Sequence, residues 1–188
     1  MRSDEGEIRE AVFSCHQPLD MRSPRMKKEY RIEIHLGGQR LRLMRDNAIV
    51  REYPVSTARN GAGEKMDSEC TPRGRHVIAE KIGEGCPPNT VFVERRPTGE
   101  IYTPELTRQQ SGRDWILTRI LWLKGVEPGV NLGGDVDSYN RYIYIHGSPE
   151  EIEMGRPGSR GCIRMRNQDV IELFNRVEAG TAVDILEA

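Results

Sequence analysis

RYIYIHGSPEEIEMGRPGSRGCIRMRN, residues 141–167, holds one histidine and one cysteine at positions that a fold can bring together. Residues 141–145 alternate and are rich in Tyr and Ile, which predicts a strand running into His146 and Gly147. Pro149, Gly155, Pro157 and Gly158 then mark a loop, and Ser159-Arg160-Gly161-Cys162 follows. Cys162 stands sixteen residues beyond His146, enough chain for the loop to turn back and set the thiol beside the imidazole. A thiol near neutral pH is mostly protonated, and a neighbouring imidazole supplies the base that makes thiolate. Small residues around a cysteine let backbone N–H groups approach a developing oxyanion. These residues predict a cysteine acyl-transfer site. The plain alternative is that Cys162 is a small buried hydrophobe and His146 a structural residue at a strand end.

Working outward, residues 114–123 (DWILTRILWL) are the most apolar run in the chain, bounded by turn formers. They predict a central strand covered on both faces. Arg119 inside that run needs a partner, either in a structural ion pair or in a substrate carboxylate met at a cleft. Earlier, residues 31–36 and 40–44 alternate around Gly37-Gly38, a hairpin signal, and Asp46-Asn47 turns the chain into a strand over 48–56. His35 falls on the polar side of its strand, which predicts a surface residue. Residues 76–80 read as another strand, 91–93 as a short apolar one, and 97–112 as an irregular flap. After the cysteine, Asn167 is expected to cap a helix whose apolar face is Val170, Ile171, Leu173, Phe174 and Val177. Gly180 ends it and residues 181–186 return as a strand. Many short strands and one clear late helix predict a mainly β sandwich.

At 188 residues the chain fits one domain. Residues 1–29 mix charges with Ser, Pro and Met without a period, which predicts a poorly packed arm before a domain over 30–188. His16 and Cys15 in that arm are expected to be exposed and without function. Mean hydropathy is −0.64 and net charge near −1, so no global field recommends nucleic acid or an anionic membrane as partner. No apolar run approaches the ~18 residues of a membrane span. Cys15, Cys70, Cys86 and Cys162 are scattered with no C-x-x-C pair. A disulfide among the first three stays open, whereas no ligand spacing supports a metal site or a cofactor. The charged start, MRSDEGEIREAVFSCHQPLD, has no apolar segment of a secretory signal.

Ile145-His146-Gly147-Ser148 followed by Ser159-Arg160-Gly161-Cys162-Ile163-Arg164-Met165 resembles the signature of the L,D-transpeptidase catalytic domain, the YkuD-like family. That pattern is a His-Gly-Thr-like segment and then Ser-His-Gly-Cys-Ile-Arg. The likeness extends to Tyr53-Pro54-Val55-Ser56-Thr57, to Thr71-Pro72-Arg73-Gly74 and to residues 114–123. It implies a β-sandwich with one or two short helices. It further implies a cysteine enzyme that attacks the bond between an L and a D centre in peptidoglycan stem peptides. Such an enzyme forms a thioester and passes the acyl group to an amine. The partner is then a tetrapeptide donor with an amine acceptor; oligomeric state is silent.

By the same resemblance Cys162 is the nucleophile, His146 the base, and the Gly147 carbonyl orients the imidazole. The N–H groups of Arg160, Gly161 and Cys162 are the candidates for an oxyanion hole. Arg164 could bind a stem-peptide carboxylate or form a structural salt bridge, and Ser159 shapes the loop or meets substrate. Thr57, Thr71 and Arg73 are placed near the cleft, with turn-making as the other reading. Arg160 stands where the family has histidine; it cannot act as a base but can hold a carboxylate. Three rival functions remain: an L,D-carboxypeptidase using water, a peptidoglycan-binding module without turnover, and a zinc hydrolase. The resemblance implies the cell envelope, while the sequence alone favours the cytoplasm.

Overall fold

The computed structural model describes residues 30–110 and 112–188; the expected N-terminal arm, with Cys15 and His16, lies outside the described residues. Alternation decides the first hairpin. Ile32 and Ile34 of β1 (Tyr30–His35) and Leu41 and Leu43 of β2 (Arg40–Arg45) face one side and are fully buried. The antiparallel register sets Ile32 opposite Leu43 and Ile34 opposite Leu41, so four branched side chains fill one patch. β3 (Ala48–Pro54) pairs with the outer edge of β2 and stays mostly exposed.

There follow β4 (Gly74–Ile82), β5 (Thr90–Val93), β6 (Arg96–Ile101), α1 (Pro104–Gln109) and β7 (Ile116–Gly125). β8 (Tyr144–Gly147), β9 (Ile163–Met165), α2 (Asn167–Arg176) and β10 (Ala182–Leu186) complete the order. The sheet runs β3-β2-β1-β10-β4-β7-β5-β6, with β8 branching from β7 and β9 from β8. Most pairs are antiparallel, but β1 with β10 and β8 with β9 are parallel. The main core takes Ile32, Ile34, Leu41 and Leu43 from one wing and Leu121, Leu123, Ile145 and Ile163 from the other. Val170, Leu173 and Phe174 of α2 close it, which is the sandwich-like packing of a mainly β protein. Among the described residues no helix is long and apolar enough to cross a membrane.

Several expectations change. The irregular flap over 97–112 is mostly ordered, as the β5–β6 hairpin and α1. Its turn, Glu94 and Arg95, has φ of 48° and 68°, a conformation usually supplied by Asn or Gly, so the sequence hides it. The strand into His146 begins at Tyr144, because Tyr142 turns the chain at φ 57°. Asn167 is the first helical residue rather than the cap, and its side chain points inward. His35 is half-buried, with Nδ1 2.9 Å from the Ala188 carbonyl oxygen. Cys70 and Cys86 are free thiols, so no disulfide joins them.

His76 of β4 gives the fold a pH dependence. It is buried, with Nδ1 2.9 Å from the Gly74 carbonyl oxygen and Nε2 2.9 Å from Ser138 Oγ. Burial pushes it down to about 4. Below pH 6.5 the unfolded chain takes up a proton here that the native protein refuses, so stability falls as pH falls. A displacement of that size corresponds to about 3 kcal/mol, lost progressively between pH 6.5 and 4. Denaturant unfolding at pH 7 and pH 4 reads the loss directly. A native-state NMR titration of His76 near 6.5 would overturn the account.

Candidate active site

β7 carries the site because its register slips. Leu117 pairs with Gly147, but the next partners are Ile120 with His146, so Thr118 and Arg119 form a bulge. Thr118 sits at φ 70°, a costly conformation for a β-branched residue, and is completely buried. Its hydroxyl donates to Asn167 Oδ1 at 2.6 Å and accepts from the Asn89 N–H at 2.9 Å. Asn167 Nδ2 in turn donates to the Ser148 carbonyl at 3.0 Å and to Asn89 Oδ1 at 2.8 Å. This buried network ties α2, β7 and the 83–89 loop to the residue just past β8.

Along β8, Tyr144 and His146 share one face with their partners Trp122 and Ile120. Cys162, the residue before β9, packs with Phe92, Ile120, Trp122 and Tyr144 on that same face. The parallel register, Ile145 opposite Ile163, sets Cys162 beside Tyr144 and diagonal to His146. His146 is 1% exposed, and its Nδ1 lies 2.8 Å from the Gly147 carbonyl oxygen. A carbonyl only accepts, so Nδ1 carries the proton and Nε2 is a bare lone pair. Nε2 is buried and has no hydrogen-bond partner among the described residues. Burial holds His146 below its ordinary value, against the opposing pull of Asp114.

Cys162 is half-buried. Its sulfur accepts from the Tyr144 N–H at 3.4 Å and reaches the Tyr142 carbonyl, also at 3.4 Å. Burial pushes the thiol up to about 12, opposed by the Tyr144 N–H and reinforced by the Asp114 carboxylate. At neutral pH the resting partners are therefore an uncharged thiol and an uncharged imidazole. Such a pair transfers its proton only when a reaction draws it.

The motif loop is braced from two sides. Ser159 Oγ donates to the Cys162 carbonyl at 2.5 Å and accepts from the Gly161 N–H at 3.2 Å. That bond occupies the Gly161 amide, which leaves the Arg160 and Cys162 amides as the oxyanion candidates. Gly161, at φ 126°, adopts a backbone that other residues resist. Thr71 Oγ1 donates to its carbonyl at 2.9 Å, and Arg141 grips the adjoining loop at the Cys70 (2.7 Å) and Glu64 (2.6 Å) carbonyls. Arg73 pairs with Glu64 at 2.7 Å.

Arg164 donates to Asp114 Oδ1 at 2.5 Å and to the Gly158 carbonyl at 3.1 Å, the structural salt bridge of the two readings. Partial burial would raise Asp114, but the charge and hydrogen bond of Arg164 outweigh it and hold the carboxyl below its usual range. Arg160 is exposed at the rim of a cleft of about 330 Å³ that Arg59, Asp114, Ser159 and Arg164 also line. Arg119 is not brought to this face. It lies over the Phe174 ring at 5.5 Å and donates to the carbonyls of Cys86 (2.9 Å) and Thr118 (2.6 Å). The bulge turns it toward α2, so neither an acidic partner nor the cleft accounts for it.

Sequence reasoning missed Asp114, Asn89, Thr118 and Asn167 as parts of this site. Only Asp114 carried a signal, an acid just before the most apolar strand. The others act through contacts with one another that span 29, 49 and 78 residues.

Residues 29–185 match the family model of the L,D-transpeptidase catalytic domain, YkuD. The YkuD protein of Bacillus licheniformis is 30% identical over 157 residues, which is 83% of this chain and 65% of that protein. Among solved structures, Bd1075 of Bdellovibrio bacteriovorus aligns with TM-score 0.53 at 17% identity, covering 85% of this chain and 48% of that one. L,D-transpeptidase 3 of Mycobacterium tuberculosis, solved with a faropenem-derived adduct, aligns with TM-score 0.51 at 14% identity, covering 84% and 60%. At these identities the structures speak for the fold. This chain spans less than two thirds of the length of each of these relatives.

Proposed function

The chain belongs to the L,D-transpeptidase catalytic-domain family, and from that membership we propose that it transfers acyl groups of peptidoglycan stem peptides through a thioester on Cys162. The observation that carries the reading is the bare, buried Nε2 of His146 on the same face as the Cys162 sulfur. Nε2 takes the thiol proton as sulfur attacks the carbonyl of the L-centred residue. The oxyanion forms within reach of the Arg160 and Cys162 amides, each such donor contributing ~3 kcal/mol to the transition state. Collapse breaks the peptide bond, and the imidazolium returns its proton to the departing amine of the terminal D-residue. An acceptor amine then loses a proton to Nε2, attacks the thioester and restores the thiol. Water in the acceptor's place gives carboxypeptidase chemistry from the same intermediate. The substrate sets the place of work in the cell envelope.

The burial of both partners supports reaction from the neutral pair, because desolvation disfavours the thiolate–imidazolium form. Two measurements test the function together. Incubation with a carbapenem should add the mass of one opened β-lactam, mapped by peptide digestion to Cys162. A tetrapeptide-stem muropeptide supplied with an acceptor amine should lose its terminal D-residue and yield a cross-linked dimer. Unchanged mass together with an intact muropeptide would refute the reading. Release without dimer would assign the carboxypeptidase branch.

A further inference from the structure

The cleft walled by the loop that leads into Cys162 carries more positive charge than its internal ion pairs use. Arg59, Arg113, Arg160 and Arg164 line it, against Glu69 and Asp114. Two of the arginines are committed. Arg164 is held by Asp114 and the Gly158 carbonyl. Arg113 is held by Gln110 at 2.6 Å and Glu100 at 3.4 Å and lies over the Trp115 ring at 4.3 Å. Arg59 and Arg160 are exposed, and neither side chain makes a hydrogen bond or ion pair among the described residues. The backbone fixes them as neighbours, because the Arg59 N–H donates to the Ser159 carbonyl at 2.9 Å, one residue before Arg160. Glu69 offsets one of these charges and leaves a surplus.

A guanidinium presents a planar fork matched to a carboxylate, and two of them can take both oxygens. One wall of the cleft is Gly158, Ser159 and Arg160, the loop that leads into Cys162. Arg160 lies two residues before Cys162, and Asp114 in the cleft wall bears electrostatically on both Cys162 and His146. In a tetrapeptide the free carboxylate of the last residue lies only a few bonds beyond the carbonyl that sulfur attacks. An amino-acid acceptor brings its own carboxylate equally close to the attacking nitrogen.

We infer that the Arg59–Arg160 cleft is a carboxylate subsite that makes this protein select peptides or acceptors bearing a free acid over the corresponding amide. The inference rests on the acyl-transfer reading and names what that site recognises. Arg160 stands where the family pattern has a histidine, so this chain presents a guanidinium there. Arg164, spent on Asp114, is not its anchor.

The test compares a tetrapeptide stem ending in a free acid with the same stem ending in carboxamide, and a D-amino acid acceptor with its amide. For the arm whose carboxylate is bound, kcat/KM should favour the acid by about 30-fold, and one lost charged hydrogen bond in Arg160→Gln should cut that ratio about tenfold. Arg59→Gln should cut it in the same arm, and Arg160→Lys should restore part of it. A second measurement does not depend on turnover: calorimetric titration of the Cys162→Ala protein with acid and amide peptides. The acid should bind about tenfold tighter, and the added Arg160→Gln change should equalise the two. Ratios unmoved by either arginine in both kinetic arms, with equal binding, overturn the subsite. Acid-selective binding without any turnover keeps the subsite and removes the transfer reading.

Discussion

Replacing Cys162 with alanine is expected to abolish release of the terminal D-residue and dimer formation while leaving the fold intact. Loss of a nucleophile that works as a unit with its base typically costs roughly 10,000-fold or more in kcat. The structural cost is small by comparison. Cys162 is half-buried, and its polar contacts are two long hydrogen bonds of 3.4 Å. Thermal unfolding should move by only a few degrees, in line with ~1 kcal/mol for a lost polar contact. The carbapenem adduct should vanish with the activity. Residual turnover within tenfold of the parent protein would show that the thiol is not the attacking atom.

Gly147→Ala is expected to be the most damaging conservative change near the site, and for a reason unrelated to backbone freedom. A methyl group there would stand 2.7 Å from the Leu117 carbonyl oxygen and 3.1 Å from Thr118 Cβ, and would also strike Asn167 Oδ1. All three belong to the bulge network, none of them the loose end of a flexible chain. Overpacking of this kind costs about 3 kcal/mol when neighbours are held in place. Because the Gly147 carbonyl also holds Nδ1 of His146, a shift of β8 would misaim the imidazole. Chemical denaturation should show the loss, and insoluble expression would be the same outcome in stronger form. A variant that unfolds within about 0.5 kcal/mol of the parent, the usual range for neutral surface changes, would mean β7 and β8 separate easily.

Much of the fold was legible where period and punctuation agreed. The alternation of residues 31–36 and 40–44 around Gly37-Gly38 specified the first hairpin, and the apolar run at 114–123 specified β7. The α2 face was legible because Val170, Leu173 and Phe174 recur at helical spacing. The β5–β6 hairpin was not, since Glu94 and Arg95 occupy a turn that normally announces itself with Gly or Asn. In α1, Leu106 packs on a small satellite cluster and offers no amphipathic stripe. At the candidate site, the return of Cys162 to the strand that carries His146 was readable from spacing, but the use of the arginines was not. Arg119 and Arg164 look alike in sequence, yet one is turned under α2 by a bulge and the other meets an acid fifty residues away. Such pairings are decided by register, which no local window contains.

The place of β10 has a kinetic consequence. It lies between β1 and β4, with Arg31 set against Ala182 and Ala182 against Val77, so the middle of the sheet joins segments about 150 and 100 residues apart. Closing such distant segments costs loop entropy before any contact rewards it, which places folding in the milliseconds-to-seconds range typical of β topologies. During synthesis the β1–β2–β3 meander can form early, but one flank of β1 stays vacant until residues 182–186 emerge. That interval is when a foreign strand could occupy the vacancy, and nascent chains of this protein are most exposed to aggregation then.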